Sequence, residues 1–399
     1  VARADSAVRV RAQLVGVDDG DVVWGGEYRL AVADLASLED SIATDVLAAL
    51  RLAPGDGGAR AATAPRTNGA AYDLYLEGRA RLARHREAET RAAVAAFEGA
   101  IDRDSAFALA HAGLATASAE MQLRFASTEQ APEWGERAEA EARRALQLDP
   151  ALPEAHEALA AVYRKTEFDW HGTIVESRRA LALNPSAAMP HFYVGGALYH
   201  LGLLADAERE VRAGLEAQPV SDRVEALRTL GTIALAGGRY AEAVSLLQAV
   251  QRMSDRPVSD PHLAAAYFYA GDTARAVSLL EGLMGSASGS AASRARALLA
   301  SILASRGERA RAESLAAAAE RGTVDHHVAY SLGVAYAQLG RPADALRWLR
   351  TAWDTGLRCY PWLARDPLLA PVRETAEFRA LMEELRASWA QEARWYHGL

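Results

Sequence analysis

One recurrence limits what this chain can fold into more than any other feature. Between Leu181 and Pro219, the pair Val194-Gly195 sits near the middle of a predicted helix. Gly202 follows where a turn is needed, Ala207 opens a second helix and Pro219 ends it. The same marks return as Leu230-Gly231, Gly238, Tyr240, Ala243 and Leu247. They return again as Leu332-Gly333, Tyr336, Gly340, Ala345, Leu349 and Ala352. A unit of about 34 residues made of two helices cannot shelter its apolar face alone, so it leans on the next unit. A row of such units is a binding surface rather than a reaction vessel. It also accommodates 399 residues, a length too great for one compact core at roughly 100–200 residues per domain.

Similar pairs extend over residues 70–356. The first carries Tyr72, Leu76 and Gly78, then Phe97, Ala100 and Ile101. The second opens at Phe107 with Leu109, Gly113 and Leu114, and an unusual stretch, Met121 to Trp134, separates its two helices. The third runs from Pro153 through Leu159 and Tyr163 to Phe168-Asp169-Trp170 and ends at Leu183-Asn184-Pro185. The sixth has Leu263, Tyr267, Gly271, Ala276 and Leu280, and a Gly-Ser run from Gly285 to Ser290 follows it. The seventh, with Leu299, Leu303, Gly307 and Ala312, matches the pattern least. Residues 357–399 are an irregular segment and a terminal helix from Glu374 to about Tyr396, expected to cover the stacking face of the last pair. The fold class expected is mainly α: a right-handed α-solenoid of about eight helix pairs, with a small partial α/β segment in front.

That front segment, residues 1–53, has a different period. Val8, Val10, Ala12 and Leu14 alternate with Arg9, Arg11 and Gln13, which is strand spacing. Asp18-Asp19-Gly20-Asp21 marks a turn, and Val22, Val23, Trp24 and Tyr28 carry the return strand. Ser37 caps a helix to about Leu50, with Leu38, Ile42, Val46 and Leu50 on one face. A hairpin and one helix have little with which to close a core. The segment therefore reads as the end of an α/β domain, and the chain, which opens at Val1, as a fragment or processed product. Residues 54–69 have linker composition.

Composition narrows the function. Apolar residues make up 50% of the chain but aromatics only 7%, so the interior is mostly Ala, Leu and Val, suited to close helix contacts. The net charge of −8 and the lack of a basic stretch argue against nucleic acid. Cys359 is the single cysteine, which excludes an intrachain disulfide and a cysteine-based metal site. No apolar run approaches the roughly 20 residues that span a bilayer, so no membrane insertion is expected.

The order of parts resembles a known arrangement. Val8–Tyr28 followed by Leu38–Leu50 resembles the end of the TolB amino-terminal-like domain. The stretch Ala71-Tyr72-Asp73-Leu74-Tyr75-Leu76-Glu77-Gly78, with Ala95-Ala96-Phe97 and Ala100-Ile101, resembles the first tetratricopeptide repeat after that domain. Phe168-Asp169-Trp170, Cys359-Tyr360-Pro361-Trp362 and Asp366-Pro367 fit the same group. The resemblance implies a bacterial signalling protein whose upstream module is a serine/threonine kinase, a nucleotide cyclase or a winged-helix domain. Where relatives carry a membrane helix between that module and the repeats, the resemblance also implies an extracytoplasmic repeat region. The variable module defines the activity, so the resemblance implies no output of this chain's own.

Motifs for catalysis are missing. The chain has no kinase loop set and no Gly-Lys-Ser/Thr phosphate loop. His156-Glu157 begins like a zinc-protease motif, but position 160 is Ala. His326-His327 are adjacent, and neighbours on a helix diverge by about 100°, which argues against a shared metal. No catalytic residue, cofactor or metal is expected.

The candidate site is the groove lined by the first helices of the pairs. Offsets from Gly195, Gly231 and Gly333 place Phe192, Tyr193, Tyr199 and His200 there from the fourth unit, and Arg228 and Thr229 from the fifth. His262, Phe268 and Tyr269 come from the sixth, and His327, Tyr330 and Gln338 from the eighth. Aromatics and Arg dominate binding hot spots. A protein or peptide partner is expected in this groove, in a non-catalytic scaffold or sensor module. The alternatives are a self-assembling homo-oligomer and the regulatory half of an enzyme.

Overall fold

The computed structural model describes residues 2–4, 7–15, 22–31, 42, 45–46, 67, 69–84, 86–127, 129–217, 223–253, 261–286 and 289–399. The expected turn at 18–21, most of the helix over 37–50, most of the linker over 54–69 and the centre of the 285–290 connection lie outside them.

The alternating segment forms three antiparallel strands, β1 (Ala2–Ala4), β2 (Ala7–Val15) and β3 (Val22–Ala31), in that order across the sheet. The β2–β3 hairpin is the expected one, with Val10 opposite Tyr28 and Ala12 opposite Gly26. Strand β1 was not anticipated, because its three residues, Ala-Arg-Ala, offer no apolar alternation.

The remainder of the described chain is helical. Eight pairs follow one another: α1 (Gly69–Leu82) with α2 (Glu87–Arg103), α3 (Ala108–Arg124) with α4 (Ala131–Leu148), and α5 (Pro153–Val162) with α6 (Trp170–Leu183). Next come α7 (Ala188–His200) with α8 (Leu204–Ala217), α9 (Arg223–Ala236) with α10 (Tyr240–Met253), and α11 (Pro261–Tyr269) with α12 (Thr273–Ser286). Then follow α13 (Gly289–Ser305) with α14 (Arg309–Glu320) and α15 (His326–Gln338) with α16 (Pro342–Asp354). The short helix α17 (Tyr360–Arg365), a 3-10 turn (Pro367–Leu369), α18 (Ala370–Arg373) and α19 (Ala376–His397) end the chain. The chain is a mainly α solenoid of helix pairs with a small sheet. Met121 to Trp134 is a shorter connection than the sequence suggested, since only residues 125–130 lie between α3 and α4.

The described residues divide into two compact units, Val1–Ser118 with Ala138–Ala158, and Ala119–Arg137 with Leu159–Leu399. In the first, the ring of Phe97 on α2 fills a slot between two glycines. A Cβ at Gly78 would come within 2.6 Å of it and one at Gly113 within 2.5 Å. Tyr75 and Phe107 close round it, with ring centroids 5.4 Å apart.

In the second unit the repeat is literal. A Cβ added at Gly195 would meet Val211 at 2.4 Å, one at Gly231 would meet Leu247 at 2.7 Å, and one at Gly333 would meet Leu349 at 2.8 Å. In each case the large residue comes sixteen positions later (195 to 211, 231 to 247, 333 to 349), so one close approach of first to second helix recurs. The turns recur as well. Gly202, Gly238, Gly271, Gly307 and Gly340 all have φ between +71° and +93°, where a side chain would be strained. The residue after each bonds back into the first helix, as Leu203 N–H does to Leu198 O at 2.8 Å.

The third pair departs from this scheme. Helix α5 runs on into a π turn, Tyr163–Glu167, closed by Phe168 with φ 51°. Asp169 then caps α6, accepting from Gly172 N–H at 2.9 Å. The terminal helix also does more than was expected. Its first half packs on the last pair through Phe378, Leu381 and Leu385, with Arg350 Nη2 donating to Glu384 at 2.6 Å. Its 22 residues span about 33 Å, and the second half reaches the third and fourth pairs. Trp389 Nε1 donates to Gly202 O at 3.1 Å, Tyr396 donates to Glu210 at 3.0 Å, and His171 bonds Glu392 at 2.6 Å.

Candidate binding site

The expected groove residues fall into four groups, all in the second unit. Phe192 is buried inside its own pair, its ring 2.6 Å from where a Gly214 Cβ would stand. Tyr193 lies on Ala160 and Ala161 of α5 with the Arg164 guanidinium 5.0 Å over its ring. Arg164 also reaches Glu225 at 3.4 Å, and Glu225 accepts from Arg228 at 2.9 Å. Tyr193 and Arg228 therefore belong to a ladder that ties neighbouring first helices together. Thr229 is buried beside it, its carbonyl accepting from Thr232 at 2.8 Å.

Tyr199, His262, Tyr269, His327 and Tyr330 converge. They line one cavity of about 70 Å³ together with Arg294, Leu357 and Trp362. The groove beside this cavity is filled by the chain itself. Asp366, 2% exposed, accepts from Tyr269 Oη at 3.0 Å, from Tyr330 Oη, and from Leu368 N–H at 2.9 Å. Gln338 Nε2 donates to Leu368 O, and Arg365 Nη1 donates to Ala236 O at 3.0 Å. Trp362 stands edge-on to Tyr269 at 5.3 Å, and Phe268 packs beside that ring at 5.2 Å. Burial raises the Asp366 carboxyl above its ordinary range despite the hydroxyls that stabilise its anion. Burial and the Asp366 charge push both tyrosine hydroxyls well above theirs. The groove is thus occupied by residues 360–369, an outcome that sequence offsets within single repeats could not show.

A wider cleft of about 580 Å³ opens nearby, between the residue 122–131 region, the Phe168-Asp169-Trp170 turn and residues 354–358. On its wall Lys165, the chain's single lysine, pairs with Glu120 at 2.6 Å, both nearly buried. Gln122 Oε1 and Arg358 Nε, on residues that line this cleft, are buried without a hydrogen-bond partner. Neither was singled out from the sequence, although the Met121–Trp134 stretch and the Phe-Asp-Trp turn that build this cleft stood out there.

Four histidines cluster at the ends of α7, α11 and α15. His200 stacks on Trp170, centroids 4.1 Å apart at 13°, and its Nδ1–H donates to Gly196 O at 2.7 Å. His326 and His327 have ring centroids 4.4 Å apart, so adjacency on a helix does not separate them as the sequence argument held. His262 lies 5.3 Å from His327. Phe168 meets His326 edge-on at 4.7 Å, which explains the unusual φ of that turn: it brings an aromatic wall to the cluster. Burial lowers the His200 and His327 imidazoles well below their ordinary range and His326 to about 4. All three rings are therefore neutral at neutral pH.

No family model matches the chain, and no curated protein matches it. Among solved structures, the human IFIT1 dimer with m7Gppp-AAAA is 16% identical with a TM-score of 0.50, covering 74% of this chain and 72% of that one. A monomeric IFIT1 mutant with the same capped RNA is 16% identical with a TM-score of 0.50, over 71% of each chain. A tetratricopeptide repeat protein from Parabacteroides merdae is 17% identical with a TM-score of 0.43, over 66% of this chain and 98% of that one. The IFIT1 complexes correct one expectation. Net charge had set nucleic acid aside, yet a chain of similar fold holds capped RNA, so the exclusion does not stand. At these identities the likeness is one of fold alone, and with the recurring close approach at Gly195, Gly231 and Gly333 it is that of a solenoid of stacked helix pairs.

Proposed function

We propose that the chain is a non-catalytic scaffold that receives a peptide or protein segment in the groove lined by Tyr199, Tyr269, Tyr330 and Gln338. One observation carries the reading. These side chains already hold a piece of polypeptide, taking its carboxylate with two tyrosine hydroxyls and its main-chain carbonyl with an amide. Such contacts suit a carboxylate-bearing segment like Asp366-Pro367-Leu368, and stacked repeats offer extended surfaces for it. A partner of this chemistry would compete with the chain's own segment. The orphaned Gln122 acceptor and Arg358 donor give the neighbouring cleft the two polar groups a continuing main chain needs.

The test is fluorescence anisotropy with a labelled synthetic peptide copying residues 360–373. The Asp366→Ala chain, whose own segment is loosened, should bind it more tightly than the wild type. Adding Tyr269→Phe and Tyr330→Phe should abolish binding. Failure of Asp366→Ala to bind at all would end the reading. A second reading is favoured by the IFIT1 complexes with capped RNA. In this chain the cleft cations Lys165 and Arg358 are paired with Glu120 and Glu392, so phosphate would have to displace carboxylates. Salt-sensitive binding of m7Gppp-AAAA that survives the two Tyr→Phe changes would support it.

The finer assignment rests on the resemblance of residues 1–53 and 71–101. In it the chain is the scaffold or sensor region of an extracytoplasmic arm of a bacterial signalling protein. Sequencing the gene upstream of Val1 tests this: a kinase, cyclase or winged-helix module supports it, and any other module removes it.

A further inference from the structure

Nothing in the binding role of the groove explains the histidines. His326 is 1% exposed, and neither of its ring nitrogens has a hydrogen-bond partner of good geometry, although the Thr355 backbone lies close enough to favour its charged form. A buried imidazole with two orphaned nitrogens carries a desolvation cost of about 1–3 kcal/mol per group. Only an occupant offering a strong bond at that point would offset it.

We propose that His200, His326 and His327 form a site for a late first-row divalent transition ion: zinc, nickel, copper or cobalt. The three ligating nitrogens already lie within 4.8 Å of one another. A tetrahedral ion with nitrogens at ~2.0 Å holds them about 3.3 Å apart. The rings close that gap by modest side-chain rotation, because each is attached at a helix end. Imidazole selects these metals over calcium and magnesium, which take oxygen.

The surroundings are those of a metal site. The Gly196 carbonyl accepts the His200 Nδ1 proton at 2.7 Å, which fixes the tautomer and leaves Nε2 with its lone pair directed outward. Trp170 and Phe168 cover two of the rings and keep the site dry. Trp170 is fixed in turn by its own bond to Gly356 O at 2.7 Å. A helix N-terminus disfavours a cation, and His326 and His327 open α15. Asp325 offsets this, because its carboxylate caps the helix and lies beside the cluster. Arg294 pairs with that same carboxylate at 2.7 Å, so one anion is shared between the helix end and the guanidinium. His262, its ring centroid 5.3 Å from that of His327, lines a cavity with it, and it or a water would complete the four-coordinate set. Ligands from α7 and α15 come from the fourth and eighth pairs, so the ion would clasp repeats 126 positions apart in sequence (200 to 326).

The test uses the full chain, stripped with chelator, refilled with Co²⁺ and read by visible absorption, with Zn²⁺ competing. One equivalent should bind with the intense bands of a four-coordinate ion. X-ray absorption of the zinc form should show three imidazoles. His200→Ala and His327→Ala should each weaken binding at least about 100-fold, more than loss of an outer partner does. His156→Ala, whose ring bonds the distant Pro150 carbonyl, should leave it unchanged. Absence of stoichiometric binding overturns the proposal, as does an affinity that His200→Ala and His327→Ala leave intact. If a cluster variant fails to fold, the imidazole count on the wild type decides alone: fewer than three overturns the site.

Discussion

Asp366→Ala removes the acceptor that holds the chain's own segment in the groove. Three donors lose their partner at once: the Tyr269 and Tyr330 hydroxyls and the Leu368 N–H. Each unsatisfied buried donor costs about 1–3 kcal/mol. The hydroxyls can rotate, and the variant no longer buries a carboxyl that its surroundings disfavour, so the lower part of the range applies, about 3 kcal/mol in all. That energy falls on local opening of residues 360–373, because α2 and the sheet belong to the other compact unit. At ~1.4 kcal/mol per factor of ten, amide exchange over 360–373 should quicken roughly 100-fold. Exchange in α2 should not change. The measurement is hydrogen exchange resolved by mass spectrometry at constant pH. Unchanged exchange over 360–373, or equal acceleration in α2, would refute the reasoning.

Two glycines should respond with opposite signs. Gly195→Ala forces a Cβ to 2.4 Å from Val211. This overpacking of about 1–3 kcal/mol exceeds the helix-propensity gain of up to ~1 kcal/mol, so urea unfolding of the second unit should come earlier. Gly282→Ala meets nothing within 4 Å and should stabilise by about 0.5–1 kcal/mol; the same sign for both would sink the packing account. Acid should release the end of α19. Burial alone would raise the carboxyls of Glu210, Glu392 and Asp206, but hydrogen bonds and charges from His191, His171, Arg209 and their neighbours hold all three low. Groups depressed by folding stabilise it above their ordinary values, 4.5 for Glu and 3.8 for Asp, and lose that contribution as pH falls through the folded values. Exchange over 386–397 should therefore rise below about pH 4, and a flat acid profile would contradict it. Cys359 is fully buried, with its thiol pushed up to about 12. It should stay unreactive to a thiol reagent in the native chain and react fully in denaturant; immediate native reaction would place it elsewhere.

The helix pairs were legible because their causes are local. Gly195, Gly231 and Gly333 are small because Val211, Leu247 and Leu349 press on them, and the turn glycines need positive φ. Both leave a periodic trace. The aromatic groove residues were legible as a set but not as individuals. Phe192 and Tyr193, one position apart, go to α8 and α5 respectively, a choice set by neighbours in space. What fills the groove was legible as a motif, Cys359-Tyr360-Pro361-Trp362 with Asp366-Pro367, but not as an occupant: the Arg365–Ala236 bond joins residues 129 positions apart, beyond any repeat. The histidines were named singly, His200, His262 and His327 as groove residues, but not as a cluster, since His200 meets His326 across four pairs. Charge misled over nucleic acid because a net value for the whole chain says nothing of one surface.

The claim that residues 360–369 lie in the groove is tested most directly by a photo-cross-link. Trp362 stands 5.3 Å from the Tyr269 ring and Asp366 accepts from its hydroxyl, so a benzophenone side chain placed at position 269 meets residues 360–369 of its own chain. Irradiation of the folded chain should leave a monomer with one internal cross-link, mapped by mass spectrometry to residues 360–369. Cross-links to other segments, or only between chains, would contradict the account.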